Sequence, residues 1–456
     1  MKDRASAGTR EYGRSAALLT VAVGASGLLT YVFFALASHA LDSEEYGRIV
    51  VLWSVMFIAI SVLFRPVEQL LSRTIAERDA HDQPIGHAVR VAAQIQLVIA
   101  LAFTALAVLF RSEITDRLFD GDELFFWALV ASVLGFAVSF FARGFLAGSG
   151  RFGLYSWLLL IDAVARTSFA LAVAVGLAEG ADPIALGIAI APALSALILP
   201  LAGREAAGRQ APATEVAGRE PAPQFTLAEG GGFAAAILLV MVSEQVFLNS
   251  GPLFARAEEG AAAAGFIFNV LMIARAPVVL FQAAATSLLP HLTRLRSTGE
   301  KSSEEAFRLS VRITLGAIAG FAALTMLAIL AAGPELMQAA FGDTFTYDRG
   351  GLVIVAAGMG LYLGATTLNQ AVLAQGQAHR AALCWGASAA GLIAWYAVPA
   401  LDVFRRIEVG FAGAAAVLFL LLYLVYARPR PEAGDRIEPG SPREIEARLA
   451  AADEAL

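Results

Sequence analysis

Lysine is almost missing from this 456-residue chain, Lys2 and Lys301 being its only examples, so arginine carries nearly all the positive charge. That bias, with abundant Ala and Gly, points to a GC-rich bacterial genome. Cysteine occurs once, at Cys384, which excludes an intramolecular disulfide and reads as a small packing residue within an apolar stretch. Charged residues are only 16% of the sequence against 58% hydrophobic, a balance that a water-soluble globule cannot hold without exposing a large apolar surface. No sizeable polar domain interrupts residues 16–427. Catalytic constellations are absent as well: there is no Ser/His/Asp arrangement, no zinc-ligand spacing and no phosphate loop. A cleavable signal peptide is not apparent, because the stretch after Arg14 (16–40) is longer than a signal core and reads as a retained first span. No cofactor, metal or nucleic-acid partner is expected, and bond-making chemistry is not the expected function.

What the chain does have is a rhythm of about twelve apolar stretches, each near the roughly 20 residues needed to cross a bilayer. The expected spans are 16–40, 48–71, 89–110, 124–146, 154–177 and 183–201, then 231–253, 262–289, 309–332, 351–374, 381–401 and 409–426. A single chain at bilayer depth must satisfy its backbone groups internally and shows no barrel alternation, so all are read as helices. An even number of spans puts both termini on one side. Most of the 33 Lys and Arg residues fall in the terminal tails and alternate loops on that side, which makes it cytoplasmic by the positive-inside rule. The opposite loops carry acids instead, including Asp42, Glu44, Glu45, Asp116, Asp120, Asp122 and Glu123.

The expected organisation is an amino tail (1–15), a first half (16–201), a cytoplasmic linker rich in Ala, Gly, Pro and charge (202–230), a second half (231–427) and a cytoplasmic tail (428–456). The tail has a helix-start signal at Ser441-Pro442. The halves echo each other. Phe145-Leu146-Ala147-Gly148-Ser149-Gly150 and Val372-Leu373-Ala374-Gln375-Gly376-Gln377 end equivalent spans, with Trp157 and Trp385 beyond, and Glu45-Tyr46-Gly47 has a fainter counterpart in Ala264-Gly265. Two halves of equal orientation mean a parallel repeat about an axis along the membrane normal.

Two motifs are set aside. Gly148-Ser149-Gly150-Arg151-Phe152-Gly153 fits a dinucleotide fingerprint, but a membrane span precedes it where a strand is required, so a tight turn is expected. Asp120-Gly121-Asp122 resembles a nucleotide-sugar metal motif, yet it falls on the outer face. His81 and His87 share a loop without a third ligand.

Charges and amides inside spans carry more information, because an ionisable group at bilayer depth costs several kcal/mol unless it faces a partner or a wet cavity, roughly +2.5 to +3.5 kcal/mol on insertion scales. Arg65 and Glu68 flank Pro66 and read either as cavity groups or as an interfacial pair. Asp162 and Arg166, four apart, share a helix face and read as a self-neutralising pair or a substrate contact. Glu244 sits among Ser243, Gln245 and Asn249. Arg275 has no acid within a turn, so it needs Glu244 or a bound anion. Thr366, Thr367, Asn369, Gln370 and Gln375 form a polar stripe expected to line a wet cavity or bond between helices.

Leu41-Asp42-Ser43-Glu44-Glu45-Tyr46-Gly47 and Pro66-Val67-Glu68-Gln69-Leu70-Leu71-Ser72-Arg73 resemble the polysaccharide flippases of the multidrug/oligosaccharidyl-lipid/polysaccharide exporter superfamily. Arg143-Gly144-Phe145-Leu146-Ala147-Gly148, Ala340-Phe341-Gly342 and Leu373-Ala374-Gln375-Gly376 add to the resemblance. It implies an all-α polytopic protein of the bacterial cytoplasmic membrane, with two six-helix bundles around a central cavity. It also implies a flippase that moves a lipid-linked oligosaccharide or polysaccharide precursor between leaflets by alternating access. The partners would be that lipid-linked saccharide, membrane lipids and glycan-assembly enzymes. The expected site follows from burial. Arg65, Arg166 and Arg275 would hold the anionic substrate, Glu68, Asp162 and Glu244 would couple an ion or proton, and Asn249, Asn369 and Gln370 would line the cavity. The rivals are a drug/cation antiporter of the same superfamily and a membrane polymerase or ligase. The latter is disfavoured because the outer loops are short.

Overall fold

The computed structural model describes residues 2–81, 83–198, 227–276 and 303–428, and every regular element among them is an α-helix. The first half holds α1 (Lys2–Ala40), α2 (Ser43–Leu63), α3 (Arg65–Ala80), α4 (Gly86–Leu109), α5 (Arg111–Phe119), α6 (Glu123–Gly148), α7 (Phe152–Ala174) and α8 (Asp182–Ala196). The second holds α9 (Leu227–Glu259), α10 (Ala261–Ala276), α11 (Ser303–Phe341), α12 (Arg349–Ala374), α13 (Ala378–Tyr396) and α14 (Val403–Ala427). Among the described residues, 9 helical segments are long and apolar enough to cross a membrane, α2 and α3 counting as one segment of 38 residues. Large apolar side chains face outward, with Leu177 82% and Leu109 72% exposed. Such a surface is stable only in hydrocarbon, and the protein is a multi-pass membrane protein.

Each expected span falls largely on a helix over its described residues, though the spans ending at 177 and 401 run past their helices, which stop at Ala174 and Tyr396. The second span breaks at Phe64, where Pro66 in the first turn of α3 supplies no backbone donor to the turn before it. α8 is shorter than expected at 15 residues and carries Pro192 inside it. α11 continues past its expected end through a kink at Ala332 (φ −140°), beside Pro334. α5 was not foreseen. α9 begins at Leu227, so the last residues of the 202–230 linker are helical. The rest of the linker, residues 277–289 of the eighth span and the tail from 429, with its Ser441-Pro442 signal, lie outside the described residues.

The repeat extends to the packing. In the first half α1 packs on α7, α6 on α8 and α7 on α8; in the second, α9 packs on α13, α12 on α14 and α13 on α14. The two echoed span ends also share their backbone bonds. Ser149, Gly150 and Arg151 donate to Phe145, Ala147 and Leu146, as Gln375, Gly376 and Gln377 donate to Ala371, Leu373 and Val372. Gly150 (φ 67°) and Gly376 (φ 74°) take the left-handed conformation that closes each helix, so the apparent dinucleotide fingerprint is a helix-ending turn.

The acids of the loops expected outside have a structural use. Asp42, Asp122, Asp348 and Asp402 cap the starts of α2, α6, α12 and α14, each accepting backbone N–H groups of the first turn. Helix capping together with the favourable field of the helix N-terminus explains why acids collect at this end of the bundle.

Candidate functional site

The two halves meet most tightly at the end where α2 and α10 begin. Glycine permits the contact. A Cβ on Gly47 would lie 1.9 Å from the backbone oxygen of Ala261, and one on Gly265 would lie 2.8 Å from the Tyr46 ring. The fully buried Tyr46 donates its hydroxyl to Asn269 Oδ1 at 2.5 Å, and Phe345 packs on its ring at 5.2 Å. At the same end Arg256 of α9 reaches across to Asp120 at 2.6 Å, also donating to the Leu118 carbonyl. Asp120 holds a left-handed backbone (φ 55°) at the end of α5. The faint sequence echo between Tyr46-Gly47 and Ala264-Gly265 is therefore a real contact between equivalent helices.

Away from this seal the halves part around two adjoining cavities. The central one, about 320 Å³, lies between the halves and is lined by Phe34, Trp53 and Phe57 from the first and by Glu244, Asn249 and Arg275 from the second. The other, about 630 Å³, is lined among the described residues by the first half and carries Glu68, Arg73, Arg143 and Tyr155. Arg65 lines both.

The cation pairs differ from those the sequence led us to expect. Arg65 reaches not Glu68, three residues away, but Glu244 of the opposite half, at 3.5 Å. Glu68 accepts from the Tyr155 hydroxyl at 3.1 Å. Its helix α3 is drawn against α6 by two glycines. A Cβ on Gly144 would lie 2.8 Å from the backbone oxygen of Glu68, and one on Gly148 would lie 2.7 Å from the backbone oxygen of Ser72. Small residues one turn apart let two backbones approach, and here they bring Glu68 and Arg143 to one cavity.

Arg143 was not singled out from the sequence, where it sits close enough to the end of its span to read as a loop charge. Its guanidinium stacks on Phe140 at 4.8 Å. Its Nε is buried without a hydrogen-bond partner, and no ion pair to it is formed among the described residues. The neighbouring small-residue spacing at Gly144 and Gly148 was the legible signal that this face of α6 is packed rather than lipid-facing.

The remaining expected site residues are placed elsewhere. Arg166 and Asp162 pair at 3.2 Å in the interior of the first half, each 4% exposed, with Arg166 over the Trp53 ring at 4.7 Å and its NH2 donating to Thr30. They lie behind the lining of the central cavity. Asn369 accepts from Trp385 Nε1 at 3.0 Å inside the second half, and Gln370 is exposed. Thr366 and Thr367 donate to the Leu363 carbonyl of their own helix. Only Asn249 of the three expected amides faces the central cavity, with its amide donating to Gln245 at 2.9 Å. Among the described residues no cluster of His, Cys, Asp or Glu could hold a metal ion, His81 and His87 included.

This architecture, two helical bundles facing each other across a cavity, is the fold seen in solved MATE family transporters. An inward-facing multidrug resistance MATE family transporter of the MOP superfamily aligns over 90% of this chain and 96% of its own, with a TM-score of 0.61 and 13% identity. The eukaryotic MATE transporter AtDTX14 covers 91% and 94% with a TM-score of 0.58 and 13% identity. The Vibrio cholerae MATE transporter VcmN, in its bent form, covers 92% and 97% with a TM-score of 0.56 and 14% identity. No protein-family model and no curated protein matches the sequence.

Proposed function

We propose that this protein is a flippase that carries a lipid-linked saccharide bearing an anionic headgroup from the inner to the outer leaflet by alternating access, without making or breaking a bond. The observation that carries this reading is the charge of the cavity walls. Arg65, Arg73, Arg143 and Arg275 stand against Glu68 and Glu244, with Arg73 also paired to Glu77 at 2.6 Å. A lining with surplus guanidinium groups suits phosphate or acidic sugar and repels an organic cation. Aromatic faces at Phe34, Trp53 and Phe57 offer stacking surface for sugar rings or lipid. Membrane lipids would supply the carrier, and glycan-assembly enzymes of the inner leaflet the cargo. A drug/cation antiporter is the second reading, favoured by the multidrug names of the neighbouring structures.

Purified protein in vesicles is expected to move a polyprenyl-diphosphate-linked saccharide across the bilayer without changing its mass. Transport of a cationic dye with no movement of the lipid would overturn the flippase in favour of the antiporter, and a protein-dependent mass change would show an enzyme.

The arginine asymmetry supports a topology with the sealed end outside, in which the present conformation is inward-facing. Reporter fusions at Asp120 are expected to read as external and those at His81 as cytoplasmic. The reverse pattern would turn the whole assignment over.

A further inference from the structure

The cavity inside the first half has its own chemistry. Three guanidinium groups, Arg65, Arg73 and Arg143, face it against the single carboxylate of Glu68. Arg143 is the telling member, because a cation at membrane depth ordinarily finds an acid or a carbonyl, as Arg166 finds Asp162. Arg143 has aromatic rings on one side, Glu68 near enough to act on it through space but not in ion-pair contact, and a buried Nε with no acceptor. Phe136 and Phe140 pack against its guanidinium, and a guanidinium so held at the wall of a cavity can receive an oxyanion.

We propose that this cavity is a phosphate-type oxyanion site anchored by Arg143, and that filling it draws Arg65 away from Glu244. The proposal rests on the flippase reading but adds to it an anion site anchored in the first half and a switch between halves. Arg65 borders both cavities and holds Glu244 at only 3.5 Å, with the two side chains 42% and 31% exposed. That contact is long and solvated, so a doubly charged anion beside Arg65 and Arg143 competes with it effectively. Loss of the contact removes a polar bridge between the halves across the central cavity. Tyr155 donates its hydroxyl to Glu68, which offsets part of that carboxylate's repulsion of the incoming anion.

The competition has a readout of its own. Binding of inorganic pyrophosphate and of farnesyl diphosphate, with farnesol as the uncharged control, would be measured on the full chain in nanodiscs. Both diphosphates are expected to bind and farnesol not to. Arg143→Gln should weaken both by about tenfold or more, with Arg143→Lys intermediate because it keeps the charge but loses the fork. Glu244→Gln should act in the opposite direction and tighten both severalfold by releasing Arg65. Selective binding of farnesyl diphosphate over pyrophosphate would assign the site to a lipid headgroup, and equal binding to free phosphate compounds, either outcome keeping the oxyanion site. Unchanged affinity in folded Arg143→Lys and Arg143→Gln proteins would overturn the site, and weakened binding in Glu244→Gln would overturn the switch. Diphosphate binding without saccharide-lipid transport would sink the flippase reading alone, whereas transport with no diphosphate binding would sink this inference alone.

Discussion

Replacing Gly47 with alanine is expected to stop the proposed transport cycle by holding the sealed end apart. The added methyl would fall 1.9 Å from the Ala261 oxygen, a contact with backbone that no side-chain rotation relieves. Because Gly47 belongs to one half and Ala261 to the other, the clash opposes their approach while leaving each bundle's own packing intact. The conformation described here would become the disfavoured one. A shift of even about 1.4 kcal/mol changes its population tenfold, and so direct an overlap should exceed that. A cysteine placed at Ser61, in the central cavity, would then be labelled from the side now sealed, and substrate transport should fall by about tenfold or more. Normal transport with unchanged labelling would show that the seal does not form during the cycle.

The second large effect concerns stability. Arg166→Ala is expected to destabilise the first half by about 3–5 kcal/mol, because it strands the Asp162 carboxylate in a dry interior. Asp162 is 4% exposed and its Oδ1 already lacks a partner, so no neighbour is available to take the place of the guanidinium. Protein abundance and the melting temperature in detergent would both drop. A double replacement, Asp162→Leu with Arg166→Met, should recover most of the loss, since removing both charges removes the penalty. A normal melting temperature in Arg166→Ala with transport lost would instead identify Arg166 as a substrate contact.

The sequence made the helices legible because apolar length is a local property, and each expected span fell largely on a helix where its residues are described. It also made the repeat legible through residues such as Gly150 and Gly376, whose backbone bonds match one for one. The pairing of charges was another matter. Arg65 was read beside Glu68 because they are near in sequence and share a helix, yet its partner is Glu244, 179 positions away. No periodicity in α3 encodes which residue of the other half comes opposite. Arg143 was overlooked for a related reason: an arginine near a helix end serves equally as a topology signal and as a cavity cation, and only the surrounding packing separates the two. Asn369, expected to line a wet cavity or to bond between helices, does the second, accepting from Trp385 of the neighbouring helix.

The break at Phe64 has a mechanical side. Tyr46 and Gly47 stand at one end of the α2–α3 segment and Arg65 just past its joint, 18 positions from Gly47, or about 27 Å of helix at 1.5 Å per residue. The rod of α2 thus spans from the seal to the joint beside the charged cavity. A lever of that length converts an about 5° tilt into an about 2 Å displacement at its far end, comparable to the difference between a made and a broken ion contact. Pro66 softens the joint by withholding one backbone hydrogen bond, so the stiffness of this single turn sets how much of the motion at the seal reaches Arg65. Restoring the missing donor with Pro66→Ala would stiffen the joint while leaving Gly47 and Arg65 themselves in place.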